Sequence, residues 1–182
     1  MEEYLDIWDE NGQPTGNVLL KTVAHKQGLF HPTVHVWFYT PNKKILMQQR
    51  GANKETFPSL WDVSVAGHVG AGETIIEGAL REVKEEIGIL ISKEDLTQID
   101  VRKNINIHPN GIHDCEFQHV FLVELKHDIS QLTIQEEEVD GLRLFTFDEI
   151  ALCITKSHKT YSIVPADMNY YQFIMDTINS IL

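Results

Sequence analysis

Alternating apolar and polar positions dominate the first third of the chain, and this period of two predicts β-strands. Five segments show it: Leu5–Trp8, Val18–Val23, Thr33–Thr40, Lys44–Gln49 and Trp61–Ala66. The run Asp9-Glu10-Asn11-Gly12 separates the first two segments, Pro41-Asn42 separates the next two, and both are turn signals. The pattern therefore predicts an N-terminal hairpin over about residues 4–23, a second hairpin and one further strand.

A helical period of about 3.6 residues follows and predicts a helix over Ile75–Ile87. The residues that fall in one narrow arc of this helix, and are expected to be buried, are Ile76, Leu80, Val83 and Ile87. Thr74 and Glu77 have the spacing of a capping box, and Gly88 stands where helices commonly end. Local signals therefore define both ends of this helix.

The second half of the chain continues the mixture of strands and helices. Its predicted elements are strands over about Leu96–Leu125 around the turn His108-Pro109-Asn110-Gly111, a strand over Leu142–Phe147, a short helix capped by Asp148, and a C-terminal helix over about Ala166–Leu182 with Pro165 near its start. The run Glu136-Glu137-Glu138 is more typical of a solvated loop than of a site. Strands wrapped by a few helices predict one α+β domain over residues 1–182, with helices on a layered sheet.

Composition and charge narrow the function. Hydrophobic residues make up 42% and charged residues 23% of the 182 residues, which is typical of a soluble globular protein. The acidic N-terminus does not resemble a secretory signal, and two cysteines are too few for a disulfide framework, so we expect a cytoplasmic protein without a membrane span. A formal charge of -12 argues against a nucleic-acid polymer or a membrane as partner. An anionic substrate would then need local positive charge, such as a metal ion.

Three glutamates, Glu82, Glu85 and Glu86, share a second face of the predicted helix. Like charges one turn apart repel each other, and such a face is usually simply solvated. Carboxylates one turn apart also point the same way, and hard oxygen ligands suit Mg²⁺ or Mn²⁺. The helix alone leaves both interpretations open.

The residues around these glutamates favour the metal. Segment 67–89 reads GHVGAGETIIEGALREVKEEIGI, which matches the Nudix box G-x5-E-x7-R-E-U-x-E-E-x-G-U at every position. Seven fixed residue types match by chance with a probability on the order of one in a billion per start position. The chain thus resembles the Nudix hydrolase superfamily, whose fold is an α/β/α sandwich with a mixed β-sheet.

The resemblance implies roles for the residues of the box. Glu82, Glu85 and Glu86 resemble metal ligands, to which the carbonyl of Gly67 contributes, and Glu82 is also the usual candidate for the general base. Glu73 and Arg81 resemble a structural ion pair that holds the loop to the helix. The implied cofactor is Mg²⁺ or Mn²⁺, which neutralises diphosphate oxygens and acidifies water.

A second resemblance extends over about Leu5–Leu125, to the Nudix branch that includes isopentenyl-diphosphate isomerase and related hydrolases. The segments TGNVLLKTVAH, HPTVHVWF, QQRGANKETFPSLWDVSVAGHV and DCEFQHVF carry it. It implies a second metal site at His25, His31, His68, Asp114 and Glu116, with Glu116 also acting as an acid or base. Basic residues that bind the diphosphate there match Lys21, Arg50 and Lys54. Each of these residues could also be structural, as we expect for His35, His113 and His119.

One departure from the isomerases bears on the reaction. Their motif W-x-N-x-x-C-x-H-P contains a cysteine, and Ala66 takes its place here. A methyl group can neither donate nor accept a proton, so hydrolysis is favoured over isomerisation.

The expected function is a Nudix pyrophosphohydrolase that cleaves a diphosphate linkage in a small molecule, and a nucleoside diphosphate or its derivative is the expected class. The alternatives are an isopentenyl-diphosphate isomerase-like enzyme and a ligand-sensing module without catalysis. Five aromatic residues, which could select the substrate or simply fill the core, are Phe30, Trp37, Phe57, Phe117 and Phe121. A homodimer through the N-terminal hairpin is a further alternative to a monomer.

Overall fold

A computed structural model describes residues 2–157 and 160–182. The strands in this part of the chain are β1 (Tyr4–Trp8), β2 (Pro14–Leu20), β3 (His31–Tyr39), β4 (Lys44–Arg50), β5 (Trp61–Asp62), β6 (Val65–His68), β7 (Thr97–Ile107), β8 (His113–Glu124) and β9 (Val139–Thr146). The α-helices are α1 (Lys21–Gln27), α2 (Ile75–Ile87), α3 (Phe147–Ile154) and α4 (Met168–Ile181). Among the described residues, no helix is long and apolar enough to cross a membrane.

Strand β3 is the centre of a seven-stranded mixed sheet. The main path of the sheet runs β5-β4-β3-β8-β7, with β6 added beside β3 and β9 beside β4. β3 and β8 are parallel, whereas the other pairs are antiparallel. β1 and β2 form a separate hairpin. The prediction of an α+β fold with a mixed sheet is confirmed.

Alternation along β3 separates the two layers of the core, because successive side chains of a strand point to opposite faces. Val34, Val36 and Phe38 pack with α2 residues such as Val83 and Ile87. Trp37 lies on the other face, in a second cluster that includes residues of α3 and α4. Helices thus cover both faces of the sheet, as in an α/β/α sandwich.

The structure corrects the prediction for residues 18–23. β2 ends at Leu20, and Lys21–Gln27 form α1 instead of continuing the strand. Gly28 ends this helix with a left-handed φ of 63°, and Ala24 is fully buried beneath it. The helix is too short to be stable alone, so tertiary packing outweighs the local strand pattern here.

The segment Trp61–Ala66 also differs from its prediction as one strand. β5 pairs with β4, whereas β6 pairs with β3, so the chain changes partner between them. Ser64 lies at the change and its hydroxyl accepts a hydrogen bond from the backbone N–H of Phe38 at 2.8 Å. Local alternation cannot reveal a change of pairing partner.

The later elements follow the predictions with small shifts. α2 matches its predicted bounds, including the capping box at Thr74 and Glu77. α3 is capped by Thr146 rather than by Asp148, because the Thr146 hydroxyl accepts the backbone N–H of Glu149. Asp167 caps α4 two residues after Pro165.

Candidate metal and diphosphate site

A cleft of about 820 Å³ is lined by residues of β3, β6, β7, β8 and α2 and contains most of the predicted site residues. Those that line it are Lys21, His25, Arg50, Lys54, Gly67, His68, Arg81, Glu82, Glu85, Glu86, Asp114 and Glu116. His31 lies buried behind the cleft wall, and Glu73 lies in the loop before α2. Segments far apart in sequence therefore meet at one place.

Gly67, at the end of β6, touches the α2 residue Glu82. A Cβ atom built on Gly67 would lie 2.0 Å from Glu82 Cδ, well inside van der Waals contact. The backbone of the loop and the Glu82 carboxylate are therefore packed directly together, and only glycine leaves room for this contact.

Substituting Gly67 with alanine tests this contact. We expect kcat to fall by about one to two orders of magnitude, because the added methyl group displaces the Glu82 carboxylate. The displaced atoms are the end of a flexible side chain, so the loss of stability should be small. Gly141→Ala is the matched control, since its nearest neighbour would be 3.9 Å away. Steady-state kinetics and thermal melting measure both effects, and unchanged kcat in Gly67→Ala would contradict the assigned contact.

Arg81 connects the loop to two of the acidic residues. It donates to Glu73 at 2.8 and 2.9 Å and to the carbonyl of His68 at 2.8 Å. Its Nη1 also donates to Glu82 at 2.7 Å and to Glu85 at 3.0 Å. Hydrogen bonds to Glu73 raise the Arg81 pKa above its ordinary value. Arg81 therefore makes more contacts than the single ion pair with Glu73 that was predicted from sequence.

Glu86 is buried and binds neutral groups. Its Oε2 accepts hydrogen bonds from Gln48 Nε2 at 2.9 Å and from the backbone N–H of Ala66 at 3.2 Å. Burial, followed by the neighbouring charge of Glu82, raises the Glu86 pKa to about 8. Burial also raises the pKa of Glu82. A cation near these carboxylates would offset this cost of burying negative charge.

The three glutamates of α2 differ in their surroundings. Glu82 and Glu86 are buried, whereas Glu85 is exposed. Arg81 Nη1 holds Glu82 and Glu85, and Glu86 is held by Gln48 on the sheet side. The helix does not present the uniformly solvated acidic face that its charge alone would suggest.

Three histidines form the closest cluster of possible metal ligands among the described residues. One ring nitrogen of each of His25, His31 and His68 lies within 4.8 Å of the others, and the Nε2 atoms of His25 and His68 are 3.2 Å apart. His31 Nδ1 donates to the carbonyl of Leu29 at 2.9 Å, which leaves Nε2 as the acceptor. That buried Nε2 lacks a hydrogen-bond partner within the described part of the chain.

The histidines are held in the neutral form that metals bind. Burial lowers the pKa of His31 to about 4 and that of His68 well below its ordinary value. Burial likewise lowers the pKa of His25. The donor set, the orphaned Nε2 and the neutral rings together fit a bound metal ion.

Asp114 and Glu116 lie in the same cleft as His25 and His68. Asp114 accepts from His108 Nε2 at 2.8 Å and lies 3.9 Å from His25 Nδ1, on the side of the ring away from His68. Glu116 accepts from Gln118 Nε2 at 2.8 Å, and burial raises its pKa to about 7. Asp114 therefore contacts two histidines, and Glu116 lines the cleft.

The three basic residues predicted to bind diphosphate all line the cleft and all have carboxylate partners. Lys21 pairs with Glu3, Arg50 with Asp62, and Lys54 with Glu138. Arg50 also donates to the carbonyl of Thr56. Their positive charge is thus placed locally within an acidic protein.

Sequence reasoning missed several residues of the cleft. Glu137 and Glu138, from the run interpreted as a solvated loop, line it. Polar or aromatic cleft residues that were not predicted are Gln48 behind Glu86, and Thr33, Asp62, Arg102, Asn104, Gln118 and Tyr170 along the cleft. For three of these residues, Arg102, Asn104 and Gln118, the available signal was the alternation along β7 and β8. Alternation places Arg102 and Asn104 on the same face of β7.

The five aromatic residues considered as substrate contacts fall into two groups. Trp37 and Phe57 line the cleft. Phe121 is fully buried with α2, and Phe117 packs against Phe30 at a ring separation of 5.3 Å. His35, expected to be structural, donates or accepts a hydrogen bond with Tyr170 at 2.8 Å.

Comparison with known proteins identifies the class. A family model described as the NUDIX domain matches residues 29–166. The chain belongs to the Nudix family. Membership of this family supports the assignment of the chain to the general class of pyrophosphohydrolase enzymes. A Deinococcus radiodurans protein of known crystal structure has a similar fold, with a TM-score of 0.70 at 19% identity, covering 94% of this chain and 98% of that one.

The relatives of this chain are named either as Nudix hydrolases or as isopentenyl-diphosphate isomerases. Nudix hydrolase 3 of Arabidopsis thaliana is 33% identical over 172 residues, covering 92% of this chain but 22% of that protein. An uncharacterized Nudix hydrolase of Clostridium acetobutylicum is 38% identical, covering 82% of this chain and 73% of that one. An isopentenyl-diphosphate Delta-isomerase of Salmonella arizonae is 33% identical, with 88% and 86% covered. The resemblance to the Nudix family, in the branch that includes isopentenyl-diphosphate isomerase, is confirmed.

Proposed function

We propose that the chain is a divalent-metal-dependent hydrolase that cleaves the diphosphate linkage of a small molecule, with nucleoside diphosphates or their derivatives as the substrate class. The reaction adds water to an X-diphosphate and yields X-phosphate and phosphate, or a second phosphorylated half. The observation that carries the proposal is the packing of Glu82 against Gly67 beside buried Glu86, in the same cleft as three basic side chains.

Residues of the α2 helix would hold the cation. Glu85, Glu86 and Glu82 are the proposed ligands, together with the Gly67 carbonyl. The cation, Mg²⁺ or Mn²⁺, would neutralise the diphosphate oxygens and acidify the attacking water. Arg81 holds Glu82 at Oε1, so Oε2 is the atom to which we assign acceptance of the proton from that water. Lys21, Arg50 and Lys54 would bind the diphosphate.

The histidine cluster supports a second metal site in the same cleft. His25, His31 and His68 supply three neutral imidazole donors. Imidazoles suit a transition ion such as Mn²⁺ better than Mg²⁺, which prefers an all-oxygen shell. Asp114 would orient His25, and Glu116 would complete the site as a ligand or as an acid or base near it.

Isomerisation of isopentenyl diphosphate is the second candidate function, because isomerases are among the relatives and the histidine cluster is present. Ala66 argues against it. This residue lies on β6 opposite His35 and lines the cleft, but its methyl group cannot transfer a proton. Glu116 alone would then have to serve both proton transfers.

A panel of diphosphate compounds tests the proposal. Nucleoside diphosphates, nucleoside diphosphate sugars and isopentenyl diphosphate would be incubated with the protein and Mg²⁺ or Mn²⁺. We expect release of phosphate or nucleotide that stops when the metal is chelated. Conversion of isopentenyl diphosphate to its isomer without phosphate release would instead establish the isomerase, and inertness towards every compound would refute both candidates. Dimerisation through the β1–β2 hairpin stays a prediction.

A further inference from the structure

The cleft extends well beyond the carboxylates of α2. Sheet pairing places Arg102, Gln118, Thr33 and His68 side by side on β7, β8, β3 and β6, and all four line the cleft. We call these four residues the polar row. Neighbouring strands are about 4.8 Å apart, so the row spans roughly 14 Å between the backbones of its two ends. This length leaves room for an organic group beyond a diphosphate bound near His68.

The two middle residues of the polar row, Thr33 and Gln118, have buried polar groups that can form hydrogen bonds. Thr33 is 3% exposed, and its hydroxyl lacks a hydrogen-bond partner among residues 2–157 and 160–182. Gln118 is also buried, and its amide donates to Glu116. A hydrocarbon group placed here would remove these polar atoms from water without replacing their hydrogen bonds, which is costly. A ligand rich in oxygen and nitrogen would satisfy them.

Arg102 closes the far end of the row and is held rigidly. Its guanidinium lies 4.6 Å from the centre of the Tyr170 ring, and it pairs with Asp100 at 3.3 Å and with Asp167 at 3.6 Å. The Tyr170 hydroxyl in turn accepts a hydrogen bond from Trp37 Nε1 at 3.0 Å. The Tyr170 ring, on which Arg102 stacks, is therefore held in place by a hydrogen bond to a core residue.

A stacked arginine of this kind can still bind a ligand. A guanidinium has five N–H donors in one plane, and each aspartate approaches a single nitrogen. Its remaining donors match carbonyl, ring-nitrogen, hydroxyl or phosphate acceptors, and its flat face suits a planar ring. Neighbouring Asn104, on the same side of β7, adds an amide to the same wall.

We infer that Arg102 determines specificity among substrates by binding their organic end at the far end of the polar row. The inference rests on the proposed cleavage of a diphosphate. It adds that the polar row binds the organic end while the diphosphate lies at the His68 end.

The test is the variant Arg102→Met, which keeps an unbranched stem but removes the charge and the donors. We expect kcat/KM for the best nucleoside diphosphate compound to fall tenfold or more, and kcat/KM for methyl diphosphate, which has no organic end to bind, to change by less than about twofold. Arg143→Met is the matched control, since Arg143 also stacks on aromatic rings and pairs with a carboxylate, Glu149, but lies outside the cleft. It should leave both values unchanged.

Two results would overturn the inference. Equal losses on both compounds would make Arg102 a general structural residue, and a wild-type preference for isopentenyl diphosphate over every nucleotide would contradict it, because a hydrocarbon end cannot use the donors of Arg102. If no diphosphate is hydrolysed at all, the proposed function fails separately. Binding of a nucleoside α,β-methylene diphosphate, measured by titration calorimetry with Mn²⁺, then decides the inference, because Arg102→Met must weaken Kd about tenfold and an unchanged Kd refutes it.

Discussion

Replacing Glu82 with glutamine should lower kcat by at least about a hundredfold at saturating metal, while the protein remains folded. Glutamine has nearly the same shape, so it can still fit against Gly67 and accept a hydrogen bond from Arg81. It cannot take a proton from water at neutral pH or offer a negative charge to a cation. Arg81 keeps its pairs with Glu73 and Glu85. Burial already disfavours the charged form of Glu82 by raising its pKa, so loss of this charge should leave the melting temperature nearly unchanged.

Glu77→Gln is the control on the same helix. Glu77 is exposed and serves the capping box of α2, a role that glutamine can also fill. This variant removes one negative charge yet should keep its kcat. If Glu82→Gln turned over substrate as fast as Glu77→Gln does, Glu82 would have no place in the mechanism.

Adding Mn²⁺ should raise the stability of the protein by about 2.7 kcal/mol at a hundredfold excess over Kd, because the ion binds only the folded clusters. For a chain of this size that is a rise of roughly 5–10 °C in melting temperature. Two features of the cleft support so large an effect. Glu82 and Glu86 are buried carboxylates with raised pKa values, and His31 carries an orphaned ring nitrogen. Differential scanning fluorimetry measures the shift.

Variants separate the two proposed metal sites. His31→Gln should reduce the shift with Mn²⁺ but keep that with Mg²⁺, because the imidazole cluster favours a transition ion. His127→Gln, in the loop after β8 and outside the cleft, should keep both shifts. Each shift is measured against the same variant without metal, so any loss of basal stability cancels. No shift with either ion at millimolar concentration would count against both sites.

Local signals were enough to predict α2 from sequence. Its capping box at Thr74, its apolar stripe and Gly88 all lie within the helix or next to it, and the observed bounds agree. α1 had no such signal, because Lys21–Gln27 is short and becomes helical by burying Ala24. Sequence periodicity describes one element at a time, so it fails where tertiary packing decides the local structure.

The same distinction applies to the candidate site. The spacing in the Nudix box was enough to predict Glu82, Glu85 and Glu86 as site residues, since spacing on one helix determines which face they share. The partners of these residues were not accessible in this way. Gln48 reaches Glu86 through the packing of β4 against α2, and Arg102 joins Thr33 only through the order of strands in the sheet.

The parallel pairing of β3 with β8 has a consequence for biosynthesis. It joins Thr33 to Gln118 across a long intervening stretch of chain, and closing so large a loop is entropically expensive and slow. The three histidines, by contrast, all lie before residue 69, His31 and His68 on the paired strands β3 and β6 and His25 on α1. All three histidine ligands therefore leave the ribosome before β7 and β8, the strands that carry Arg102 and Gln118.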